Sequence, residues 1–270
     1  MAQVTPQRVV LFGVPFAYVT FEDVCRHVSQ WIASRTPGYI VTPNVDHICR
    51  LETDTEFREA YARAGLVLVD GAAVLWAARW LGQPFPQKLS GSDLVPALCE
   101  YAAQQGYSVF FLGAAPGVGA QAAALLKEQY PGLIVAGIHS PPMGFYEDTQ
   151  TNAAVLEHIQ RANPDLCFVA MSAPQQEIWM CRHHHISGAR VMIGVGAGLD
   201  FIAGKQKRAP RWMQQAGAEW LWRLCHEPRR LWRRYLWDDL RFVPIFWREF
   251  RRTRRKRSVE ISGNGKDLGT

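Results

Sequence analysis

Ser108-Val109-Phe110-Phe111-Leu112, followed by Gly113-Ala114-Ala115-Pro116-Gly117-Val118-Gly119 and an apolar-patterned stretch to Gln129, is the passage that decides the fold class. A short run of β-branched and aromatic residues ending in glycine reads as a strand buried on both faces, and the residues at 118–129 carry a helical period. A strand that passes through a glycine turn into a helix is half of a βαβ unit. Working outward, similar strand runs recur at 9–14, 39–42, 66–69, 133–138, 166–170 and 191–195. Helix-length amphipathic segments lie at 21–34, 57–64, 71–81, 93–105, 151–162 and 176–185. Near-continuous apolar strands alternating with helices imply an α/β fold, with a Rossmann-like, mostly parallel sheet covered by helices on both faces.

The chain has 270 residues, 48% of them hydrophobic and 20% charged, which excludes a disordered or fibrous protein. Its formal charge of +6 conceals a split. Residues 205–257 hold 17 Lys and Arg against 5 Asp and Glu, and six of the ten tryptophans; the remainder holds 13 against 19. The expected organisation is an α/β body at 1–204, a basic, Trp-rich helical appendage at 205–257 and a loose tail at 258–270. Six scattered cysteines without a paired spacing read as reduced thiols. The N-terminus lacks a signal-peptide pattern and no run has the length and apolarity of a membrane span, so a cytoplasmic location is expected.

Ligands in such sheets bind beyond the carboxyl ends of the strands. There the chain places Thr42-Pro43-Asn44, Asp70-Gly71, the glycine loop at 113–119, Ser172-Ala173-Pro174-Gln175-Gln176-Glu177 and Gly196-Ala197-Gly198-Leu199-Asp200. Asp70 has two readings from position alone: a general base within reach of a bound hydroxyl, or the N-cap of the following helix. The glycine loop matches neither a Walker A sequence nor Gly-x-Gly-x-x-Gly, and a plain strand-to-helix turn explains it equally well. His183-His184-His185 lacks the three- or four-residue spacing of metal-binding helices and reads as a solvated helix end. No Asp-x-Asp occurs in the chain, so a bound diphosphate would be neutralised by arginines. The appendage supplies them: on a helix begun by Pro228, Arg230, Arg233 and Arg234 share a face, and after an interruption at Pro244 a second basic stretch runs through 247–257. Cationic, Trp-bearing helices of this kind lie on anionic membranes or track nucleic acid.

Several blocks together resemble the WecG/TagA/CpsF family of glycosyltransferases: Thr42-Pro43-Asn44; Val69-Asp70-Gly71; Leu81-Gly82-Gln83-Pro84 through Lys88-Leu89-Ser90-Gly91-Ser92-Asp93-Leu94; Ala173-Pro174-Gln175-Gln176-Glu177; Gly194-Val195-Gly196-Ala197-Gly198-Leu199-Asp200-Phe201; Gly204-Lys205-Gln206-Lys207-Arg208-Ala209-Pro210; and Glu219-Trp220 through Arg234-Tyr235. The resemblance spans roughly residues 9–250. It implies the GT-E fold of bacterial cell-surface polysaccharide synthesis. It also implies inverting transfer, without a metal or other cofactor, from a UDP-sugar to a membrane-anchored, polyprenyl-diphosphate-linked saccharide. By the same resemblance Asp70 is the base, Thr42 and Asn44 line the sugar-nucleotide pocket, Gln176 contacts the sugar or acceptor, and Asp200 lies with the uracil. Arg223, Arg230 and Arg233 close over the diphosphate. The appendage would also hold the enzyme peripherally on the inner face of an anionic membrane, with assembly as a homo-oligomer away from it.

Three departures bear on the pocket. Lys88 stands where the family usually has arginine, Ala72-Ala73 follow the Asp-Gly pair in place of a glycine-containing pair, and Gln175 replaces a lysine. They bear on which sugar is used, N-acetylmannosamine, its uronic acid or a hexose, more than on the reaction. The competing reading is an α/β nucleic-acid-binding protein with an Arg/Trp-rich arm, and a third is a membrane-tethered scaffold. Polar residues gathered at the strand ends favour the enzyme over the nucleic-acid-binding protein, and an Asp70→Asn variant with unchanged cellular function would single out the scaffold.

Overall fold

The structure is a computed structural model that describes residues 6–210, 212–213, 218–233, 237 and 239–264; the side chains of Arg230 and of 256–264 lie outside the description. The chain opens with an antiparallel hairpin, β1 (Arg8–Leu11) and β2 (Val14–Ala17), where the sequence suggested one continuous strand; Phe12 and Gly13, both at positive φ, make the turn. Then follow α1 (Phe21–Ser34), β3 (Gly38–Val41), α2 (Val45–Leu51), α3 (Thr55–Arg63), β4 (Leu66–Val67), α4 (Ala72–Trp80) and α5 (Gly91–Gln105). The second half of the body is β5 (Ser108–Gly113), α6 (Val118–Gln129), β6 (Ile134–His139), α7 (Thr149–Ala162), β7 (Leu166–Ala170), α8 (Gln175–His183), β8 (Val191–Gly194) and α9 (Gly198–Ile202).

Six strands form one parallel sheet in the order β4-β3-β8-β7-β5-β6. Successive side chains of a strand point to opposite faces, and the sheet uses this to build two cores. Tyr39, Val41, Phe110, Leu112, Cys167 and Val169 face one, with α2, α3, α4, α7 and α8 over them. Ile40, Val109, Phe111, Leu166, Phe168 and Ile193 face the other, beneath α1, α5, α6 and α9. The sheet is therefore buried on both sides, which is why its strands are apolar throughout rather than alternating.

The appendage contributes α10 (Glu219–His226), α11 (Pro228–Arg233), a 3-10 turn (Asp239–Arg241) and α12 (Phe242–Asn264). Pro244 does not interrupt a helix: it occupies the first turn of α12, where its missing N–H has no partner to lose. Phe242, Phe246 and Phe250 recur every four residues and, with the buried Ile245, dock α12 onto the first core; Phe12 meets Phe242 edge-on at 5.2 Å. Arg248 of α12 pairs with Glu52 of the body at 2.6 Å. The same helix runs on to Asn264, so the first part of the stretch expected to be a tail has helical backbone. Among the described residues, no helix is long and apolar enough to cross a membrane.

Candidate active site

A cavity of about 470 Å³ opens at the carboxyl ends of β3 and β4. One wall belongs to the body: Asn44 to Asp46 after β3, Asp70 to Ala73 after β4, and Lys88, Ser90 and Ser92 leading into α5. The facing wall belongs to the appendage, with Glu219, Trp220 and Arg223 of α10, Asp239 and Leu240 of the 3-10 turn, and Phe242 of α12.

Backbone hydrogen bonds continue the sheet past its last residues and thereby fix the body wall. The N–H of Leu68 donates to the Val41 carbonyl (2.9 Å), that of Asp70 to Pro43 (3.3 Å), and that of Leu89 to Val69 (2.9 Å). Asp70 is thus held between the β3 loop and the approach to α5. The N-cap of α4 is Gly71, whose φ of +88° a side chain would strain, and no side chain caps the helix. Asp70 is therefore not the helix cap. Its carboxyl is raised to about 6, first by burial, with Lys88 and Arg223 pulling down and Glu219 and Asp93 pushing up. The neighbouring acids are engaged: Asp46 accepts from Arg50 with both oxygens, at 3.1 Å each, and Glu219 pairs with Arg223 at 3.3 Å.

The remaining expected residues divide. Asn44 lines the cavity and also caps α2, accepting from the His47 N–H at 3.3 Å. Thr42 is buried behind the wall; its Oγ1 lies 3.3 Å from where a Cβ on Gly91 would stand, and the Val195 Cα is closer still at 3.0 Å, so a side chain at the start of α5 would crowd its neighbours by a few tenths of an ångström. Gln176 is buried and outside the lining. Its Oε1 accepts from the N–H groups of Gly196 (2.8 Å) and Met171 (3.4 Å), and its Nε2 donates to Glu177 Oε1 (2.8 Å). The amide thus ties the ends of β7 and β8 together rather than facing the cavity. Glu177 is fully buried, with no hydrogen-bond partner on Oε2, and burial raises its carboxyl to about 7. Asp200 lies in α9, outside the lining, and its carbonyl accepts from the N–H of Lys205 at 2.9 Å.

Of the expected arginines whose side chains are described, Arg223 reaches the cavity, its guanidinium 4.9 Å from the centre of the Phe201 ring. Arg233 is exposed and outside the lining, and the side chain of Arg230 lies outside the described residues, as do Arg234 and Tyr235. Lys88 supplies the second cation of the cavity, 3.7 Å from Asp93, whose other oxygen is bonded by Arg208.

Other sequence features find structural explanations. A Cβ on Gly113 would fall 2.4 Å from the Ala170 carbonyl oxygen, and one on Gly119 2.9 Å from Ile138, so these glycines answer to packing. The histidine run is solvated only at His185: His183 and His184 are half-buried and bonded to backbone carbonyls one turn back, and burial lowers both rings below the ordinary imidazole value. Among the described residues, no three His, Cys, Asp or Glu side chains gather to share a metal ion.

Comparison with known proteins agrees with the block pattern, because the model of the glycosyl transferase WecG/TagA/CpsF family matches residues 9–257. The chain belongs to that family. Curated relatives from Staphylococcus aureus strains MRSA252, MW2 and NCTC 8325 are each 29% identical over 251 residues, covering 92% of this chain and 94% of theirs. Each carries the name N-acetylglucosaminyldiphosphoundecaprenol N-acetyl-beta-D-mannosaminyltransferase. The WecG/TagA/CpsF match begins in β1 and ends within α12, so body and appendage belong to one family unit.

Within this family frame, the sequence reading placed Lys88 near the pocket but missed Ser90 and Ser92 as cavity residues, although the block that contains them was in view. Their signal was the glycine at 91, which lets α5 approach β8 closely and so brings the preceding loop to the cavity. Trp220 was in view as part of a family block, whereas Leu240 and Phe242 carried no signal beyond being apolar; only docking of the appendage makes them a wall.

Proposed function

We propose that this glycosyltransferase moves a sugar of the N-acetylmannosamine or hexose type from a UDP-sugar to a saccharide carried on a polyprenyl diphosphate, by inversion and without a metal. The observation that carries the reading is Asp70: a carboxyl facing the cavity, raised to about 6, excluded from helix capping and flanked by a cation from each wall. The acceptor hydroxyl gives its proton to Asp70 while its oxygen bonds the anomeric carbon, and the bond from that carbon to the UDP phosphate oxygen breaks. UDP leaves with added negative charge, and Lys88 and Arg223 stabilise it in the place a metal would take. Arg230 and Arg233 would join them on closure of the appendage. Attack from the face opposite the leaving group inverts the anomeric centre, so one base suffices. The names of the relatives support a lipid-linked N-acetylglucosamine acceptor and an N-acetylmannosamine donor. The outward tryptophans and arginines of the appendage support peripheral attachment to the anionic inner face of a membrane.

The test is a panel of UDP-sugars offered with a lipid-linked acceptor, with and without chelator, to the wild type and to Asp70→Asn. Chelator-insensitive turnover of one donor with an inverted product, lost in Asp70→Asn, is the expected result. Turnover that stops with chelator removes the metal-free mechanism. An Asp70→Asn enzyme as fast as the wild type removes Asp70 as base.

A further inference from the structure

The catalytic body carries an aromatic surface that the charge and Trp pattern of the appendage does not include. On α4, Ala73, Trp76 and Trp80 are three and four residues apart and share one outward face. Trp76 is 48% exposed and Trp80 77%. The helix has no acidic residue, and its one cation, Arg79, is also exposed. Two solvent-facing tryptophans on one short helix have no role in the core, which takes Val74, Ala77 and Ala78 from the other face.

Residues at both ends of α4 share a pocket with α12. At one end Ala72 and Ala73 of α4 and Phe242 of α12 line the same cavity. At the other, Gln83, just past α4, lines a groove with Glu249, Arg252 and Thr253 of α12. On α12 the exposed residues include Val243, Trp247, Arg248, Arg251, Arg252 and Arg255. Through Ala73 the outward face of α4 reaches the cavity, and through Phe242 so does α12 with its basic, Trp-bearing surface.

We infer that the Trp76–Trp80 face of α4 is a second membrane-contact element, inserted at the lipid interface beside α12, so that the body itself rests on the bilayer with the cavity mouth turned toward it. The inference rests on the peripheral attachment proposed above. Indole rings, with an apolar body and one N–H, favour the boundary between headgroups and acyl chains, and Arg79 with the α12 arginines matches anionic headgroups in charge. The division of labour has a measurable signature: binding through α12 arginines weakens with salt, whereas binding through inserted indoles does not.

The experiment is sedimentation of the full chain with vesicles of phosphatidylglycerol and phosphatidylcholine at low and high salt. W76A/W80A is expected to lower vesicle affinity about fivefold or more at both salt concentrations, because the lost contribution scales with inserted apolar area. W76F/W80F restores most of the binding, and R251Q/R252Q removes the salt-sensitive part alone. Circular dichroism of each variant verifies the fold. Wild-type-like vesicle binding by W76A/W80A overturns the inference while leaving attachment through the appendage intact. So does loss of self-association in W76A/W80A with unchanged vesicle binding, which would make the face a contact between copies of the chain. Failure of the wild type to bind vesicles at all overturns the attachment itself, and this inference with it.

Discussion

The two walls of the cavity are built by different means. The body wall is an extension of the sheet: Asp70, Leu89 and Leu68 are bonded through their main chains, and Gln176 fastens the adjoining strand ends from beneath. The appendage wall rests on side chains, a stripe of phenylalanines with Ile245, the Arg208–Asp93 pair and the exposed Arg248–Glu52 pair. One wall is built on main-chain bonds and carries Asp70, the proposed base, while the other, among the described residues, rests on side-chain contacts and carries Arg223 and Trp220. On the proposed mechanism, deprotonation and leaving-group stabilisation would thus sit on elements held by different kinds of contact.

The sharpest break in this comparison is Asp70→Asn. Turnover should fall about 10²–10⁴-fold, the range for removal of a positioned general base. In the wild type, kcat/KM should decline about tenfold per pH unit below about 6 and level off above it. Stability should move the other way. A carboxyl raised in the folded state binds its proton more tightly there than when unfolded, so the wild type loses stability as pH rises from about 4 to about 6. Asp70→Asn removes that penalty and should be more stable by about 1–3 kcal/mol at pH 7, with the gain gone below about pH 4 in denaturant titrations.

Arg223→Ala probes the opposite wall. A loss of about a hundredfold in kcat, with less change in KM, is expected if the guanidinium acts on charge that develops in the transition state. An unchanged kcat would confine catalysis to the body wall. Gln176→Ala should destabilise the protein by about 1–3 kcal/mol in urea unfolding, because the N–H of Gly196 and the carboxyl of Glu177 lose a buried partner. Ile245→Ala should cost about 2 kcal/mol and act locally, accelerating proteolysis at residues 205–218 more than it lowers the midpoint of global unfolding. If both readouts move together, the appendage is as integral as the sheet. Glu52→Gln should change stability by less than about 1 kcal/mol, as exposed ion pairs do.

Much of the fold was legible because strand burial and helix period leave direct marks on composition. Helices 21–34 and 118–129 end where the sequence places them, and strand 166–170 coincides with β7. The short α2 was not legible: its seven residues follow Pro43 and Asn44 in what reads as a strand-end loop, too brief for a period to register. The candidate site was legible unevenly. Asn44, Asp70 and Arg223 meet in one cavity, whereas Gln176 and Thr42 are buried behind it and Asp200 lies in α9. A polar residue at a strand end can face a ligand or satisfy its neighbours' N–H groups, and the residue type is the same in both cases.

By itself, then, the sequence determined the alternation of strands and helices, the order in which they occur, the family and the segregation of positive charge into the last quarter of the chain. These follow from local periodicity and residue counts, which need no knowledge of neighbours. Only the tertiary structure decided that Gly71 frees Asp70 from capping, that Gln176 spends its amide internally, that α12 docks through phenylalanines, and that Trp76 and Trp80 are left facing outward. Each of these depends on which group lies against which across the fold, and burial and hydrogen-bond partnership are properties of pairs distant in sequence.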